Sequence, residues 1–311
     1  MRAVRCAPPG VEVVETEVPH GEGELVQVAA VGICGSDLRY LRRGSTQIAG
    51  HEIAGTAVDG TPVAVEATAR CGNCEWCAAG RHNMCRRAGR DIVGLTVPGG
   101  MAERFRAPAS ALVPLPAGLA LGDAALVEPG AVSWHACSRG EVGPGTRVAV
   151  VGAGTIGMLA AAAALRMGAP EVALVARHPY QVEAGERLGM TRPSGLYDVV
   201  VEASGSESGL SRAVELARPL GTVSTVGVYL PDVGWPYMAA FLKEVRFAPS
   251  MGYAQDAAGT REFAHSAQLL ADRPEIARTL ISHRFGIEEA ARAFEVAASR
   301  PPGTFKVVVH P

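Results

Sequence analysis

Residues 146–169 read TRVAVVGAGTIGMLAAAAALRMGA, and this stretch decides the fold of half the chain. A short apolar strand, Val148 to Gly152, runs into Gly152-x-Gly154-x-x-Gly157 and then into an alanine-rich helix. A lone glycine triplet is a weak signal; one with a strand before it and a helix after it reads as a dinucleotide fingerprint. The first glycine permits the tight turn and the second lets backbone approach a pyrophosphate. The third lets helix pack on strand, and the helix N-terminus offers free N–H groups and a favourable dipole.

Downstream, the apolar runs Val172–Ala176, Val199–Glu202, Val223–Val228 and Val245–Ala248 read as further buried strands, with a helix over Val182–Leu188 between them. Strands alternating with helices predict a doubly wound parallel sheet. Beyond it the pattern predicts a helix over Thr260–Ala271, a loop containing Pro274 and an amphipathic helix over Ile287–Ser299. A final strand, FKVVVH, has no place left in that sheet and is expected to return to the first domain.

Upstream, residues 1–70 hold short β-type runs at Val11–Val14, Leu25–Val31, Ile53–Val58 and Pro62–Val65, separated by glycine turns. These predict a small barrel. Ile92–Val97, Ala102–Ala107 and Leu112–Pro114 extend the pattern. In LVEPGAVSWHA, Glu128 precedes Pro129 and is expected to be extended. Its apolar neighbours favour partial burial, and a buried carboxylate needs a partner.

Two segments carry metal-ligand chemistry. In GICGSDLRYLRRGSTQIAGHE, residues 32–52, Cys34 is followed by His51 and Glu52. Thiolate, imidazole and carboxylate are the ligand types of zinc, and a catalytic zinc uses three with one position open. A buried free cysteine and a satisfied histidine would read the same way, so this stretch alone leaves both readings standing. In CGNCEWCAAGRHNMC, Cys71, Cys74, Cys77 and Cys85 have the spacing C-x2-C-x2-C-x7-C. Four thiolates wrapped on one ion make a closed, structural zinc site. An iron–sulfur cluster is the chemical rival; the x7 gap and the lack of a proline after Cys85 weigh against it.

Composition bounds the rest. The 311 residues suggest about two domains. Hydrophobic content of 48% supports a core, and charged content of 19% excludes a disordered chain. A net charge of −2 gives no global case for nucleic acid or an anionic membrane. The arginines at 39, 42 and 43, and at 81, 86, 87 and 90, read as solvated faces. The longest apolar run, Met158–Met167, is too short to span a bilayer. A soluble, cytoplasmic protein is expected, whose seven cysteines need an explanation other than disulfides.

Together, GICGSD (32–37), GHE (50–52), the four-cysteine lobe, VEP (127–129), GAGTIG (152–157) and VEASG (201–205) resemble the zinc-dependent medium-chain alcohol dehydrogenase family. They span most of the chain in the family's order. The resemblance implies an α/β fold: a discontinuous GroES-like β-barrel catalytic domain, residues 1–130 and 266–311, and a Rossmann domain, residues 131–265. It implies a catalytic zinc on Cys34, His51 and Glu128, with Glu52 outside the permanent set or ligating in passing. A permanent fourth ligand would over-charge and close the site. It implies a structural zinc on Cys71, Cys74, Cys77 and Cys85, so two zinc ions per chain. Ser36 would open a proton relay. The cofactor would meet Gly152, Gly154, Thr155, Ile156, Gly157 and Ser204. A glutamate as third ligand resembles the polyol, glucose and threonine dehydrogenase branches. A homodimer or homotetramer is implied, with the Val245–Ala248 strand as candidate edge.

The sequence departs from the family's pattern in two places. Arg39 stands where the relay commonly ends in histidine; there it would hold a cofactor phosphate. The connections around Val58–Pro62 and after Gly189 are short, and the first is expected to open the substrate cleft. Twenty residues past Gly157, where an acidic residue normally holds the ribose of NAD, stand Arg177 and His178. NADP(H) is therefore expected over NAD(H). The expected reaction is hydride transfer between that cofactor and a secondary alcohol, polyol or sugar hydroxyl, or the matching ketone, with no nucleic-acid or membrane partner. Two alternatives stand beside it: a zinc-free quinone or enoyl reductase of the same superfamily, and a zinc-ribbon nucleic-acid binder acting as a redox sensor.

Overall fold

The computed structural model describes residues 1–229 and 232–311. It divides into two compact units, Met1–Glu128 with Ala254–Pro311, and Pro129–Tyr253. In chain order the first unit holds β1 (Arg2–Ala7), β2 (Gly10–Glu15), β3 (Glu24–Gly32), α1 (Gly35–Arg42), β4 (Glu52–Thr56), β5 (Pro62–Val65), the single turn α2 (Glu75–Ala78), β6 (Arg104–Ala107) and β7 (Leu112–Pro114). Helix α3 (Val127–Arg139) begins at its end. The second unit alternates β8 (Arg147–Val151), α4 (Thr155–Arg166), β9 (Glu171–Val175), α5 (Pro179–Arg187), β10 (Tyr197–Glu202), α6 (Glu207–Leu216), β11 (Ala217–Thr225), α7 (Tyr237–Leu242) and β12 (Arg246–Pro249). The chain then returns to the first unit as α8 (Glu262–Asp272), α9 (Pro274–Leu280), β13 (Ile281–Gly286), α10 (Ala290–Ser299) and β14 (Lys306–His310).

In the first unit β1 and β2 form a hairpin, and the other strands form one sheet in the order β13-β14-β3-β4-β5-β7, with β6 beside β3. The final strand pairs antiparallel with β3, Val309 opposite Val31, as its apolar run required. Val26, Val31, Ile53, Val65, Met101, Phe105, Phe294 and Val309 fill the core between strands and α10. Phe294 is 4% exposed; truncating such a side chain to alanine costs about 3–5 kcal/mol.

In the second unit all five strands are parallel, in the order β12-β11-β10-β8-β9. The order reverses between β8 and β10, the switch point where open sheets bind ligands. Gly157 is obligatory here: a Cβ on it would stand 1.7 Å from the Gly152 carbonyl oxygen. The short connection after Gly189 reduces the sheet beyond β9 to a single bridge, Thr191 with Ala173.

Several expectations change. Ile92–Val97 is a turn and not a strand, because the Thr96 hydroxyl accepts the Ile92 N–H at 2.7 Å and donates to the Arg90 carbonyl at 2.6 Å. Such local bonds compete with a sheet ladder. Pro274 opens helix α9 at its first turn, where a missing N–H costs nothing. The second boundary between units falls at 253/254 where 265/266 was expected, because α8 packs on β7 of the first unit. The first falls at 128/129, two residues before the expected 130/131. Strand β13 had no counterpart in the sequence reading. The tight turn between β4 and β5 lies past Thr56, at the end of β4 away from Glu52. At ~3.3 Å per residue it is more than ten ångströms along the strand from the metal-ligand cluster.

Candidate active site

Cys34 caps the N-terminus of α1, held there by its own backbone N–H, which donates to Asp37 Oδ2 at 2.8 Å. His51 and Glu52 enter at the start of β4. Gly32 on β3 stands opposite Glu52, and a Cβ on Gly32 would meet Glu52 Oε2 at 1.9 Å. The glycine therefore makes the space the carboxylate occupies. One ligand atom from each of Cys34, His51 and Glu52 lies within 4.8 Å of the others.

Asp37 is 1% exposed and its Oδ1 stands 3.2 Å from His51 Nδ1. That contact directs Nε2 toward the cluster, the arrangement by which carboxylates orient metal-binding imidazoles. Ser36 Oγ lies 3.3 Å from the same Nε2. Burial disfavours a charge on His51, but Asp37 and Cys34 outweigh it and hold its pKa well above the ordinary histidine value. The anions that favour a proton there equally favour a metal cation, so the donor set fits a zinc ion.

Glu128 sits in the first turn of α3. It is helical, not extended, because a proline in the first helical turn displaces no intrahelical hydrogen bond. It keeps some solvent exposure, yet protein atoms crowd its carboxyl. Burial pushes its pKa up to about 7, with His51 and Lys306 opposing and Glu52 and Asp37 assisting. Its oxygens lie outside the tight group formed by Cys34, His51 and Glu52.

Lys306 explains Glu52, and the sequence reading passed over it. On β14 it is 5% exposed, and its Nζ donates to Glu52 Oε1 at 2.6 Å, Oε2 at 2.7 Å and the Ile33 carbonyl at 3.1 Å. Burial lowers its pKa, but Glu52 and Cys34 more than reverse this, so it stays charged. A single lysine in the apolar run KVVV was the available signal, since lysine is buried only when paired.

The four-cysteine lobe also fits a metal. Ligand atoms of Cys71, Cys74, Cys77 and Cys85 all lie within 4.8 Å of one another. Backbone N–H groups of Arg87 and Cys71 lower the Cys85 pKa to about 6, and the Asn73 N–H lowers that of Cys71. Burial pushes Cys77 up to about 11.

In the second unit Gly152 directly follows β8, Gly154 caps α4, and Thr155, Ile156 and Gly157 form its first turn. Arg177 is exposed past the end of β9, and its guanidinium makes no hydrogen bond or ion pair among the described residues. The backbone N–H groups of Arg177 and His178 donate to Gln181 Oε1, and the His178 ring stacks on Tyr180. Ser204 does not present a free hydroxyl, because it donates to the buried Glu202. Arg39 is half-buried on α1 of the first unit.

The alcohol dehydrogenase GroES-like domain family matches residues 21–117. An Arthroderma otae protein named "Probable D-xylulose reductase A" is 30% identical over 87% of this chain and 85% of its own length. The chain belongs to the zinc-dependent medium-chain alcohol dehydrogenase family. It is an enzyme of the oxidoreductase class. Among solved structures, galactitol-1-phosphate dehydrogenase of Escherichia coli superposes with a TM-score of 0.90 at 25% identity, covering 100% of both chains. A Sinorhizobium meliloti chain described as a zinc-binding dehydrogenase and bound to NADP gives 0.85 at 27% identity, covering 100% of this chain and 99% of its own. Among the described residues, no helix is long and apolar enough to cross a membrane.

Proposed function

We propose that this enzyme is a zinc-dependent, NADP(H)-preferring dehydrogenase acting on a secondary alcohol of a polyol or sugar, or on the matching ketone. The observation that carries the reading is the grouping of Cys34, His51 and Glu52 with Ser36 Oγ 3.3 Å from His51 Nε2. The relatives named for D-xylulose and galactitol-1-phosphate favour a polyol substrate.

Cys34, His51 and Glu128 would hold the catalytic zinc, and the four-cysteine lobe a second. Charge supports this choice of carboxylate. Lys306 neutralises Glu52, so the Cys34 thiolate and Glu128 remain to balance a dication. Zinc would supply Lewis acidity toward the substrate oxygen, and the nicotinamide would supply the hydride acceptor. Ser36 takes the hydroxyl proton of the alcohol and passes it outward. Asp37 keeps His51 in one orientation throughout. The residues of the glycine turn hold the pyrophosphate, and Arg177 meets the 2′-phosphate with a planar donor fork.

The exposed Trp235, Tyr237, Met238, Phe241 and Leu242 near edge strand β12 support a homodimer formed along that edge.

The test measures catalytic efficiency with both nicotinamide cofactors across secondary alcohols, polyols and aldoses, alongside zinc content. NADP(H) should be preferred, with two zinc ions per active chain. Arg177→Ala should weaken NADP(H) by about 1.5–3 kcal/mol with little change for NAD(H). Equal efficiency with NAD(H) in the parent removes the cofactor assignment, and one zinc or fewer per active chain removes the two-site assignment.

A further inference from the structure

Glu202 is the last residue of β10 and is 0% exposed, although no step of the proposed chemistry uses it. Its carboxylate has four donors. Oε1 accepts the Ser204 N–H at 2.8 Å and the Ser204 hydroxyl; Oε2 accepts the Gly205 N–H at 3.2 Å and the Tyr229 hydroxyl. Its backbone carbonyl accepts the N–H groups of Val226 at 2.9 Å and Gly227 at 3.1 Å. One residue thus joins the turn after β10 to the turn after β11.

Both turns stand at the carboxyl ends of the parallel strands. The turn after β10 also abuts the glycine motif: a Cβ on Gly152 would meet the Ser204 nitrogen at 2.8 Å. A Cβ on Gly227 would meet the Gly205 nitrogen at 2.4 Å and Glu202 Oε2 at 2.6 Å. Three turns therefore converge on the switch point between β8 and β10. Arg177, past β9, marks the adenosine end of a dinucleotide laid across these strand ends. The Gly152 turn takes the pyrophosphate, and the turns after β10 and β11 lie on the remaining side, where the nicotinamide half must fall.

We propose that Glu202 and Tyr229 are positioning residues for the nicotinamide half of the cofactor, fixing the turns after β10 and β11 relative to each other. This rests on the dinucleotide reading given above. A carboxylate suits the position because all four neighbours are donors. Glutamine has nearly the same shape but only one acceptor oxygen, so it leaves two donors facing an NH2 group. Burial, and then the Glu202 carboxylate, raise the Tyr229 pKa, so the phenol stays protonated and keeps donating in alkaline solution.

The experiment titrates the parent, Glu202→Gln and Tyr229→Phe with NADPH, with NADH and with ADP-ribose, which has the adenosine and pyrophosphate but no nicotinamide. Glu202→Gln should weaken the better-bound dinucleotide about tenfold or more, the effect of lost hydrogen bonds to a charged group. Tyr229→Phe removes one hydroxyl and leaves the fold intact; it should weaken the same cofactor severalfold. Both should bind ADP-ribose as the parent does, and raise the cofactor KM more than they lower kcat. Parent-like dinucleotide affinity in both variants overturns the inference. So does equal weakening of dinucleotide and ADP-ribose, which would assign Glu202 to general stability of the unit. A parent that binds ADP-ribose but neither dinucleotide overturns the inference together with the reading beneath it.

Discussion

The functional region of the first unit is made of ionisable side chains, and that of the second is made mainly of turns. Around Cys34 the structure gathers His51, Asp37, Glu52, Glu128 and Lys306; neighbouring carboxylates hold His51 and Lys306 charged, and burial raises the Glu128 pKa. Around Gly152 it gathers backbone N–H groups and glycines that leave room, with the buried Glu202 acting on main-chain and hydroxyl donors. The contrast teaches where each site is vulnerable. In the first, removing one charge strands its partner. In the second, adding one carbon blocks a close approach.

The sharpest way to break this contrast is Glu128→Ala. If the charge set of the first unit is what works, turnover should fall by at least about 10³-fold, several kcal/mol of lost charge stabilisation. The circular dichroism spectrum and the melting transition of the second unit should stay unchanged. Substantial residual turnover would move the third ligand to Glu52.

Lys306→Met comes next. It leaves Glu52 buried without its partner, which should cost about 3–5 kcal/mol of stability in chemical denaturation. The pair Lys306→Met with Glu52→Gln should recover much of that loss. Failure to recover it would mean that Lys306 acts through packing and not through charge.

In the second unit Gly157→Ala should cost about 1–3 kcal/mol, since the added carbon meets the Gly152 carbonyl and backbone must shift. Cofactor affinity should fall with it, while zinc content holds. Unchanged stability would show that the turn has room the distances deny.

The smallest effect concerns a partly exposed ion contact of the second unit, Asp198 with Arg218. Burial raises the Asp198 pKa, but the Arg147 N–H and the Arg218 guanidinium overcome this and leave it below the usual carboxylate value. Asp198 accepts from Arg147 N at 2.8 Å and from Arg218 Nε at 2.5 Å. A depressed folded-state pKa stabilises the fold above the unfolded value near 3.8 and loses that contribution as pH falls through the folded value. Asp198→Asn should therefore cost about 0.5 kcal/mol at neutral pH, because solvent screens a pair whose arginine is half exposed. The gap to the parent should narrow below about pH 4. A pH-independent gap would assign the loss to geometry alone.

The two regions were also legible to different degrees. The four cysteines of the lobe could be read from their spacing, because fifteen consecutive residues need only local turns to bring their sulfurs together. The glycine turn was equally plain, since its strand and helix adjoin it in sequence. Where local rules conflicted, the reading erred. Thr96 turned an apolar run away from a sheet, and Pro129 and Pro274 opened helices instead of excluding them.

By itself the sequence determined the fold class, the order of the domains, the cysteine lobe, the dinucleotide turn and the identities of Cys34, Ser36, His51 and Glu128 as candidates. The parallel sheet, the glycine turn and the cysteine lobe rest on short-range patterns of periodicity and spacing; the candidacy of Cys34 and His51 rests on ligand type, and the roles of Ser36 and Glu128 rest on the resemblance to the family. Only the tertiary structure decided that Glu52 is paired to Lys306, 254 residues away in the chain, and that Asp37 orients His51. It alone tied the turn after β11 to Glu202 through Tyr229. Each of these is a contact between charged or hydroxyl groups from different elements of the fold. No periodicity records such a contact, because burial creates the need for a partner and the packing of those elements then supplies it.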